Sequence, residues 1–262
     1  MYAAVHDLLS DKKGETLFTC FGIWHICFIL FFFGVFFAAY LLTRKKSAET
    51  KSKAVNLFIN IAFCMYILDF FMMPLAYGEI DIEKLPFHAC TAMCVMCFLS
   101  RRTAFLQKYR IHFALLGLVS NCVYLIYPAG VMWHGVAPWT YRVIQTLSFH
   151  GIMTVFGLLA VVYEGEELRF RNCYRSLIVL AGMTAWALVG NTLYNGTAGD
   201  YSHFFNWFFV VEDPFGIMEP SISRYVMPVL NIVIFFTVEA AIYAVNQAVR
   251  NKSGKKINNE NS

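Results

Sequence analysis

Charged residues are scarce in this chain, and their scarcity excludes most classes of soluble protein. Only 15% of its 262 residues are charged, whereas 58% are hydrophobic and 17% are aromatic. Soluble domains carry about 25% charged residues. With a mean hydropathy of +0.55, the composition predicts an all-α integral membrane protein. The sequence also lacks a phosphate-binding loop, an internal repeat and a heptad pattern.

Seven apolar runs are candidates to cross the hydrocarbon core, which is ~30 Å thick. We predict one seven-helix membrane domain over residues 1–250, with spans at about 17–42, 55–77, 86–99, 111–127, 139–163, 174–193 and 225–245. The first run is too long for the core of a signal peptide and has no small-residue cleavage site, so we expect a retained helix. Residues 251–262 are polar, which predicts a disordered cytoplasmic tail.

The basic residues predict the orientation of the chain. Of the 21 Lys and Arg residues, 16 fall in alternate connections and the C-terminal tail, and 5 fall on the opposite side. Basic loops stay in the cytoplasm, so we expect the N-terminus outside and the C-terminus inside a cell membrane. The net charge of +4 then belongs to the cytoplasmic face, where it favours contact with anionic lipids over nucleic acid.

The eight cysteines fit neither a disulfide framework nor a zinc module. All except Cys173 lie in apolar runs, where a thiol behaves as a small hydrophobic group. Cys90, Cys94 and Cys97 recur at helical spacing in the third run, which we interpret as packing, with Cys90 as a candidate reactive thiol. Since no HxxxH or HxxE spacing is present, we predict neither a metal nor a cofactor.

Three histidines lie inside separate apolar runs, where an ionisable side chain costs at least ~2.5 kcal/mol. At ~1.5 Å per residue, His25 and His150 lie ~12 Å and ~16 Å below the outer surface. The third run covers only ~21 Å, so its outer end is expected to be recessed, which places His88 ~12 Å deep. Asp69 has a similar depth of ~12 Å. These four residues therefore predict an outward-opening polar pocket.

Other polar residues extend this predicted pocket, and we assign them to substrate binding: Arg142, Gln145, Thr146, Asn191 and Asn195. Arg142, Thr146 and His150 repeat every four residues and form one stripe on the fifth run. The alternative is hydrogen bonding between helices, which stabilises bundles by ~0.6 to 2 kcal/mol. We expect that role for five amides and hydroxyls: Asn121, Gln145, Thr184, Asn191 and Asn231.

The connection over residues 196–224 is unusually long for an ordered loop. Its aromatic residues are Tyr201, Phe204, Phe205, Trp207, Phe208 and Phe209. Aromatic side chains settle at the membrane interface, so one interpretation is a segment lying on the membrane surface. The other is a lid over the outer pocket.

Several kinds of site fit the predicted pocket. A histidine and Asp69 can form an acid–base pair that activates Cys90, Thr91, Thr146 or water. Three imidazoles and a carboxylate can also hold a metal, although the spacing does not support it. A transport site would use the same groups to take up and release protons. A purely structural role predicts histidines that point apart.

Three motifs carry a resemblance to a known family. They are Phe18 to Ile26 with His25, the Leu85-Pro86-Phe87-His88-Ala89-Cys90 segment, and Gln145 to His150. Together they resemble the YwaF-like bacterial integral membrane family, which is similar in helix count, in an LPxHxC-type signature and in three histidines. The resemblance covers most of the chain.

This resemblance implies distant relatives that act on lipid esters. They include a vertebrate acyltransferase of ether phospholipids, with a cysteine beside the third-span histidine, and membrane hydrolases that use a threonine and a histidine. His88 matches that histidine, but Phe87 stands at the position directly before it. Cys90 or Thr91 would therefore have to serve as the nucleophile.

The leading hypothesis is acyl-ester transfer or hydrolysis on membrane lipids at the outer leaflet. In this hypothesis His88 or His150 is the base, Asp69 orients it, and Arg142 holds a lipid phosphate. The alternative is a non-enzymatic binding or permease component for a small solute or for protons. A continuous polar path from Asp69 to Asn60 and Glu239 would favour this transport alternative.

Overall fold

The computed structural model describes residues 9–11, 16–78, 82–132, 134–195 and 205–260, with side chains as far as residue 251. This described part is helical and contains no β-strand. Its helices are α1 Ile23–Thr43, α2 Ala48–Tyr77, α3 Ala89–Ser100, α4 Ala104–Gln107, α5 Arg110–Ile126, α6 Ala129–Met132, α7 Tyr141–Glu164, α8 Cys173–Asn195 and α9 Pro220–Glu260. Short 3-10 turns lie at Ile82–Lys84, Gly165–Glu167, Phe170–Asn172 and Trp207–Phe209.

Six of the described helices are long and apolar enough to cross a membrane: α1, α2, α5, α7, α8 and α9. The third predicted span, at 86–99, forms α3, which has only 12 residues. Such a helix covers ~18 Å, well short of the ~30 Å hydrocarbon core. The protein is thus a multi-pass helical membrane protein whose described part has six such helices, and α3 is a shorter apolar helix beside them.

Local sequence signals explain where several helices begin and end. Helix α2 starts at Ala48, before the predicted span, because the backbone N–H of Thr50 donates to the Ser47 hydroxyl and caps the first turn. Helix α9 starts at Pro220, a residue favoured in the first turn. It continues to Glu260, through the tail predicted to be disordered, and that stretch contains no proline that would stop it.

Helix α7 lies inside the bundle and packs against α1, α2 and α5. Glycines allow this close approach, since a Cβ added at Gly151 would overlap the ring of Phe32, and one at Gly157 would lie 2.7 Å from the Cβ of Leu118. Helix α3 packs against α2 and α5, while α8 pairs with α9. We name the two ends of the bundle the His88 end and the Arg101 end, after the residues beside the two ends of α3.

Candidate functional site

The chain enters α3 through the Leu85 to Cys90 motif, at the His88 end. His88 is the N-cap residue of α3, and Cys90 lies in its first turn with a half-buried side chain. The Trp186 indole N–H donates to the carbonyl of Pro86 at 2.6 Å, which fixes the path of this entry. Because the first turn of a helix has unpaired N–H groups and a positive partial charge, negative charge that develops at Cys90 is stabilised there.

Lys84, just before this motif, makes the ion pair of the site. Its Nζ lies 3.1 Å from Asp69 Oδ2, and the Asp69 side chain is only 3% exposed. The other carboxylate oxygen, Oδ1, accepts a hydrogen bond from the Tyr141 hydroxyl at 2.7 Å. The Tyr66 hydroxyl donates to the backbone carbonyl of Lys84 at 3.0 Å. Asp69 therefore positions Lys84, and its two oxygens contact a lysine and a tyrosine rather than a histidine.

His150 has one fixed and one free ring nitrogen. Its Nδ1 donates to the backbone carbonyl of Thr146 at 2.8 Å, so Nε2 of the neutral ring carries a lone pair. Nε2 is buried and has no hydrogen-bond partner among the described residues. The ring stacks on Tyr124 at a centroid distance of 3.8 Å, and the charges of Lys84 and His88 act on it. His150 thus presents a buried lone pair at Nε2.

His88 is held from the other side by the long connection. The backbone N–H of Phe208 donates to its Nδ1 at 3.4 Å, and its Nε2 makes no hydrogen bond within the described part of the chain. The charge of Lys84 acts on both His88 and Cys90. A lysine, a thiol and two imidazoles are therefore brought together at the head of α3.

Thr91, the other candidate nucleophile, is engaged with the backbone. It is buried, and its hydroxyl donates to the carbonyl of His88 at 3.2 Å and lies 3.5 Å from that of Leu85. Cys94 and Cys97 are buried deeper in α3, in the hydrophobic core. Of the two candidate nucleophiles, Cys90 has the more exposed side chain.

His25 links two helices instead of joining this group. Its Nδ1 accepts a hydrogen bond from the backbone N–H of Phe21 at 2.9 Å. Its Nε2 donates to the carbonyl of Leu125 at 2.7 Å, across from α1 to the end of α5. The residue is fully buried. Since both ring nitrogens have backbone partners, His25 has none free for proton transfer.

The predicted stripe on α7 splits into two environments. Arg142 Nε donates to Asp11 Oδ2 at 2.9 Å, and its guanidinium lies 4.5 Å from the centroid of the Tyr77 ring. The Thr146 hydroxyl donates to Gln145 Oε1 at 3.3 Å. The charge of Arg142 is therefore balanced by Asp11, and only His150 of this stripe joins the group at the head of α3.

Asn191 and Asn195 hold the long connection against the helix ends. The backbone N–H of Trp207 donates to Asn191 Oδ1 at 2.9 Å, and the Asn191 amide donates back to the Trp207 carbonyl at 3.1 Å. Asn195 forms the same paired hydrogen bonds with Phe205, at 2.7 and 2.8 Å. Both asparagines thus fix the Trp207–Phe209 turn over His88. Tyr201 and Phe204 of the predicted lid lie outside the described residues.

The turn itself has a strained backbone. Phe208 and Phe209 have φ values of 58° and 51°, a left-handed conformation that is costly for residues other than glycine. The Asn231 amide of α9 donates to both of their carbonyls. Next along the chain, the backbone N–H groups of residues 215, 217 and 218 donate to the Asp213 carboxylate and hold the pKa of Asp213 below its usual value. The described part of the connection is thus an ordered cover over His88.

Several residues of this site were missed by sequence reasoning. Lys84 was counted only as one of the basic residues that set the orientation, although it lies four positions before His88. Tyr124 and Tyr141 lie inside the predicted spans 111–127 and 139–163 and were assigned no role. A buried carboxylate such as Asp69 needs a cation as its partner. The sequence signal for that partner was Lys84, the lysine nearest to the His88 motif. Within the described residues, no group of three or more His, Cys, Asp or Glu residues could hold a metal ion.

Gly190 of α8 offers a test of the packing behind His88. A Cβ at this position would lie 2.4 Å from the ring of Phe87, which stacks on Trp186 at 5.0 Å. We expect Gly190→Ala to displace Phe87 and to lower the free energy of unfolding by about 1–3 kcal/mol. Gly182→Ala on the same helix, where a Cβ meets nothing within 4 Å, is the matched control and should be neutral or stabilising. Unfolding in detergent measures both, and equal losses would contradict the proposed contact.

One comparison with known proteins gives a match. The sequence profile of the TMEM164 family matches residues 20–246, from the turn before α1 to near the end of the apolar part of α9. No curated protein and no solved structure matches the chain. The match includes the group around His88, five of the six helices that are long enough to cross a membrane, and α9 as far as residue 246. Because it extends over most of the chain, the protein belongs to the TMEM164 family, a family of membrane proteins.

Proposed function

We propose that the protein cleaves acyl esters of membrane lipids and transfers the acyl chain to an acceptor hydroxyl or to water, with Cys90 as the nucleophile. The observation that carries this proposal is the position of Cys90, a half-buried residue in the first turn of α3, near Lys84, His88 and His150. The resemblance of the Leu85 to Cys90 motif to the YwaF-like family and its lipid-acyl relatives supports it.

The proposed first half-reaction forms a thioester. His150 Nε2 takes the proton of the Cys90 thiol while Sγ attacks the ester carbonyl. The Lys84 ammonium and the N–H groups of the first turn of α3 stabilise the negative charge on the carbonyl oxygen. The ester C–O bond then breaks, and the leaving alkoxide of the lysolipid takes the proton from His150.

The second half-reaction returns the enzyme to its starting state. An acceptor hydroxyl or a water molecule gives its proton to His150 and attacks the thioester carbonyl. The C–S bond breaks, and the Cys90 thiolate recovers the proton. We assign the base to His150 because its Nδ1 is fixed by Thr146 and because Tyr124, which stacks on it, is also near Cys90. His88 instead joins the head of α3 to the Phe208 turn.

Trapping of the acyl-enzyme tests this proposal. The purified protein is incubated with vesicles that contain a phospholipid with an alkyne-tagged acyl chain, and the tag is detected on the protein after click coupling. We expect a label that neutral hydroxylamine removes and that Cys90→Ala abolishes, while Cys94→Ala keeps it. His150→Ala should slow labelling by about 10²–10⁴-fold. A label that resists hydroxylamine and is lost in Thr91→Val would assign the nucleophile to Thr91, and an unlabelled wild-type protein would contradict the enzyme.

A transport function has one observation in its favour, a second buried polar group around His112 and Glu239. The described residues nevertheless form no continuous hydrogen-bonded path from Asp69 to Asn60 and Glu239. Asn60 accepts a hydrogen bond from Arg102 at the Arg101 end, and the buried residues of α2 between Asn60 and Asp69 are Ala62 and Tyr66. Acyl chemistry is therefore the function that we propose.

We further propose that the His88 end faces the outside of a cell membrane and that the Arg101 end contacts anionic lipids. At the Arg101 end, several basic side chains are exposed: Arg44, Lys45, Lys46, Lys108, Arg169 and Arg171. Others there have acidic partners, as Arg101 has Glu164 and Arg175 has Glu167. Exposed cations near a membrane surface attract anionic headgroups by about 1 kcal/mol each.

A further inference from the structure

A second polar group lies inside the bundle, towards the Arg101 end, and the proposed acyl chemistry does not use it. We call it the His112 cluster, and it consists of His112 from α5, Ser176 from α8, and Glu239 and Tyr243 from α9. Each of the four residues is 0% or 1% exposed. Polar and ionisable groups this deep are costly, so they are retained where they bind or move something.

Three members of the His112 cluster form a closed hydrogen-bonded triangle. The Tyr243 hydroxyl lies 2.9 Å from His112 Nδ1, the Ser176 hydroxyl lies 3.1 Å from the Tyr243 hydroxyl, and Ser176 Oγ lies 3.3 Å from His112 Nδ1. Ser176 and Tyr243 both also lie near enough to interact with the carboxyl of Glu239. Glu239 and Tyr243 are four residues apart on α9 and so share a face of that helix, which places the carboxyl group beside the triangle.

Glu239 has no ion-pair partner among the described residues. Both of its carboxyl oxygens and His112 Nε2 are buried without a hydrogen-bond partner among the described residues. Four titratable groups lie around Glu239. Tyr243 is on α9 with Glu239, His112 is on α5, and Cys173 and Arg175 are on α8. Arg175 is already paired with Glu167 at 3.0 Å. A bare carboxylate in this place would cost several kcal/mol, and a bound proton removes that cost.

The triangle lies close to the polar Arg101 end, from which protons can reach it. Ser176 follows Arg175, and His112 lies two residues after Arg110, so both are within one helical turn of the polar Arg101 end. Asn246, one turn beyond Tyr243, donates to the loop carbonyls of Gly165 and Leu168. Glu239 lies one turn deeper than Tyr243, or ~6 Å. The groups are thus ordered from the polar end inwards as triangle and then carboxyl.

We propose that the His112 cluster is a proton-binding site in which Glu239 holds the proton and the His112–Ser176–Tyr243 triangle delivers it from the Arg101 end. In one transfer, a hydronium ion protonates Nε2 of the imidazole, and the ring passes its Nδ1 proton to a hydroxyl oxygen of the triangle. That hydroxyl gives its own proton to a carboxylate oxygen of Glu239. The hydronium ion becomes water, the hydroxyl is restored, and the ring is left with its proton on Nε2 instead of Nδ1. Release of the proton along the reverse path returns the ring to the Nδ1–H form. This proposal does not depend on acyl transfer by Cys90.

Infrared difference spectroscopy on the full chain in lipid vesicles tests the proton on Glu239. At neutral pH we expect the carbonyl stretch of a protonated carboxylic acid, which moves to lower frequency in D₂O. Glu239→Gln should remove this band, and Glu166→Gln, a change at an 80% exposed side chain, should keep it. Glu239→Asp, which keeps the acid group, should shift the band.

Three results would overturn the proton site. The first is a wild-type spectrum without a protonated-acid band, and this result does not depend on the stability of any variant. The second is a band that Glu239→Gln leaves at full strength. The third is a band present in choline buffer and lost in sodium buffer, which would make Glu239 a cation site instead.

The rate of hydrogen–deuterium exchange of the same band tests the delivery route. We expect Ser176→Ala and Tyr243→Phe to slow the exchange severalfold. Thr184→Val is the matched control, because Thr184 is a buried hydroxyl on the same helix as Ser176 and has no hydrogen-bond partner among the described residues. Equal exchange in all three variants and the wild type would show that the proton does not pass through the triangle.

Discussion

Glu164→Gln is expected to lower the free energy of unfolding by about 3–5 kcal/mol, since it leaves a buried guanidinium without its counter-charge. Arg101 donates to both carboxylate oxygens of Glu164, at 2.7 and 3.1 Å, and also to Asn56 Oδ1 at 2.8 Å. The two side chains of the ion pair are only 7% and 10% exposed. This pair joins the end of α3 to the end of α7, so its loss should also loosen the short helix.

Glu49→Gln is the matched control for this prediction. Glu49 pairs with Lys53 at 2.6 Å, but the two side chains are 76% and 74% exposed. Exposed helix pairs of this kind contribute about 0.3–0.5 kcal/mol. Equilibrium unfolding in mixed detergent micelles compares the two variants, and Arg101→Met combined with Glu164→Gln should recover part of the loss. Similar small losses in both single variants would mean that the Arg101 pair is hydrated.

The membrane helices could be predicted from sequence because lipid leaves the backbone few options. Every N–H and C=O in the hydrocarbon core needs an internal partner, so a long apolar run must be helical. The shortness of the third run was visible for the same reason, since 14 residues cannot cover ~30 Å. From that observation we predicted that His88 lies below the helix ends. In the structure His88 is the N-cap residue of α3 and accepts a hydrogen bond from the backbone N–H of Phe208.

The contacts of the site could not be predicted in the same way. The position of a side chain depends on its depth along the helix and on the rotation of that helix about its own axis. Sequence periodicity predicts this rotation poorly when a helix is apolar on all sides. His25 was predicted ~12 Å along a run that starts at Leu17, but α1 begins at Ile23, and the partners of His25 are the backbone groups of Phe21 and Leu125. Asn191 and Asn195 do share a face, but they bind loop backbone, which has no sequence signature. Backbone partners of this kind are visible only in the fold.

Lys84→Met is expected to have two separable effects, because Lys84 is both the partner of a buried carboxylate and the cation beside Cys90. Among the described residues it leaves Asp69, 3% exposed, with the Tyr141 hydroxyl as its partner. Leaving a buried charge unpaired costs about 3–5 kcal/mol. Under the proposed mechanism it also removes the cation that stabilises the oxyanion, so labelling of Cys90 by the tagged lipid should fall by about 10²–10³-fold.

The double variant Lys84→Met with Asp69→Asn separates these two effects. Since it removes both charges, it should recover most of the lost stability. The double variant should not recover labelling of Cys90, because the ammonium group beside Cys90 is still missing. Lys84→Arg, which keeps a positive charge, should retain a measurable part of the labelling. Unfolding and labelling are measured on the same preparations. If the double variant regained labelling together with stability, Lys84 would act only through the fold, and the oxyanion would have to be stabilised by the first turn of α3 alone.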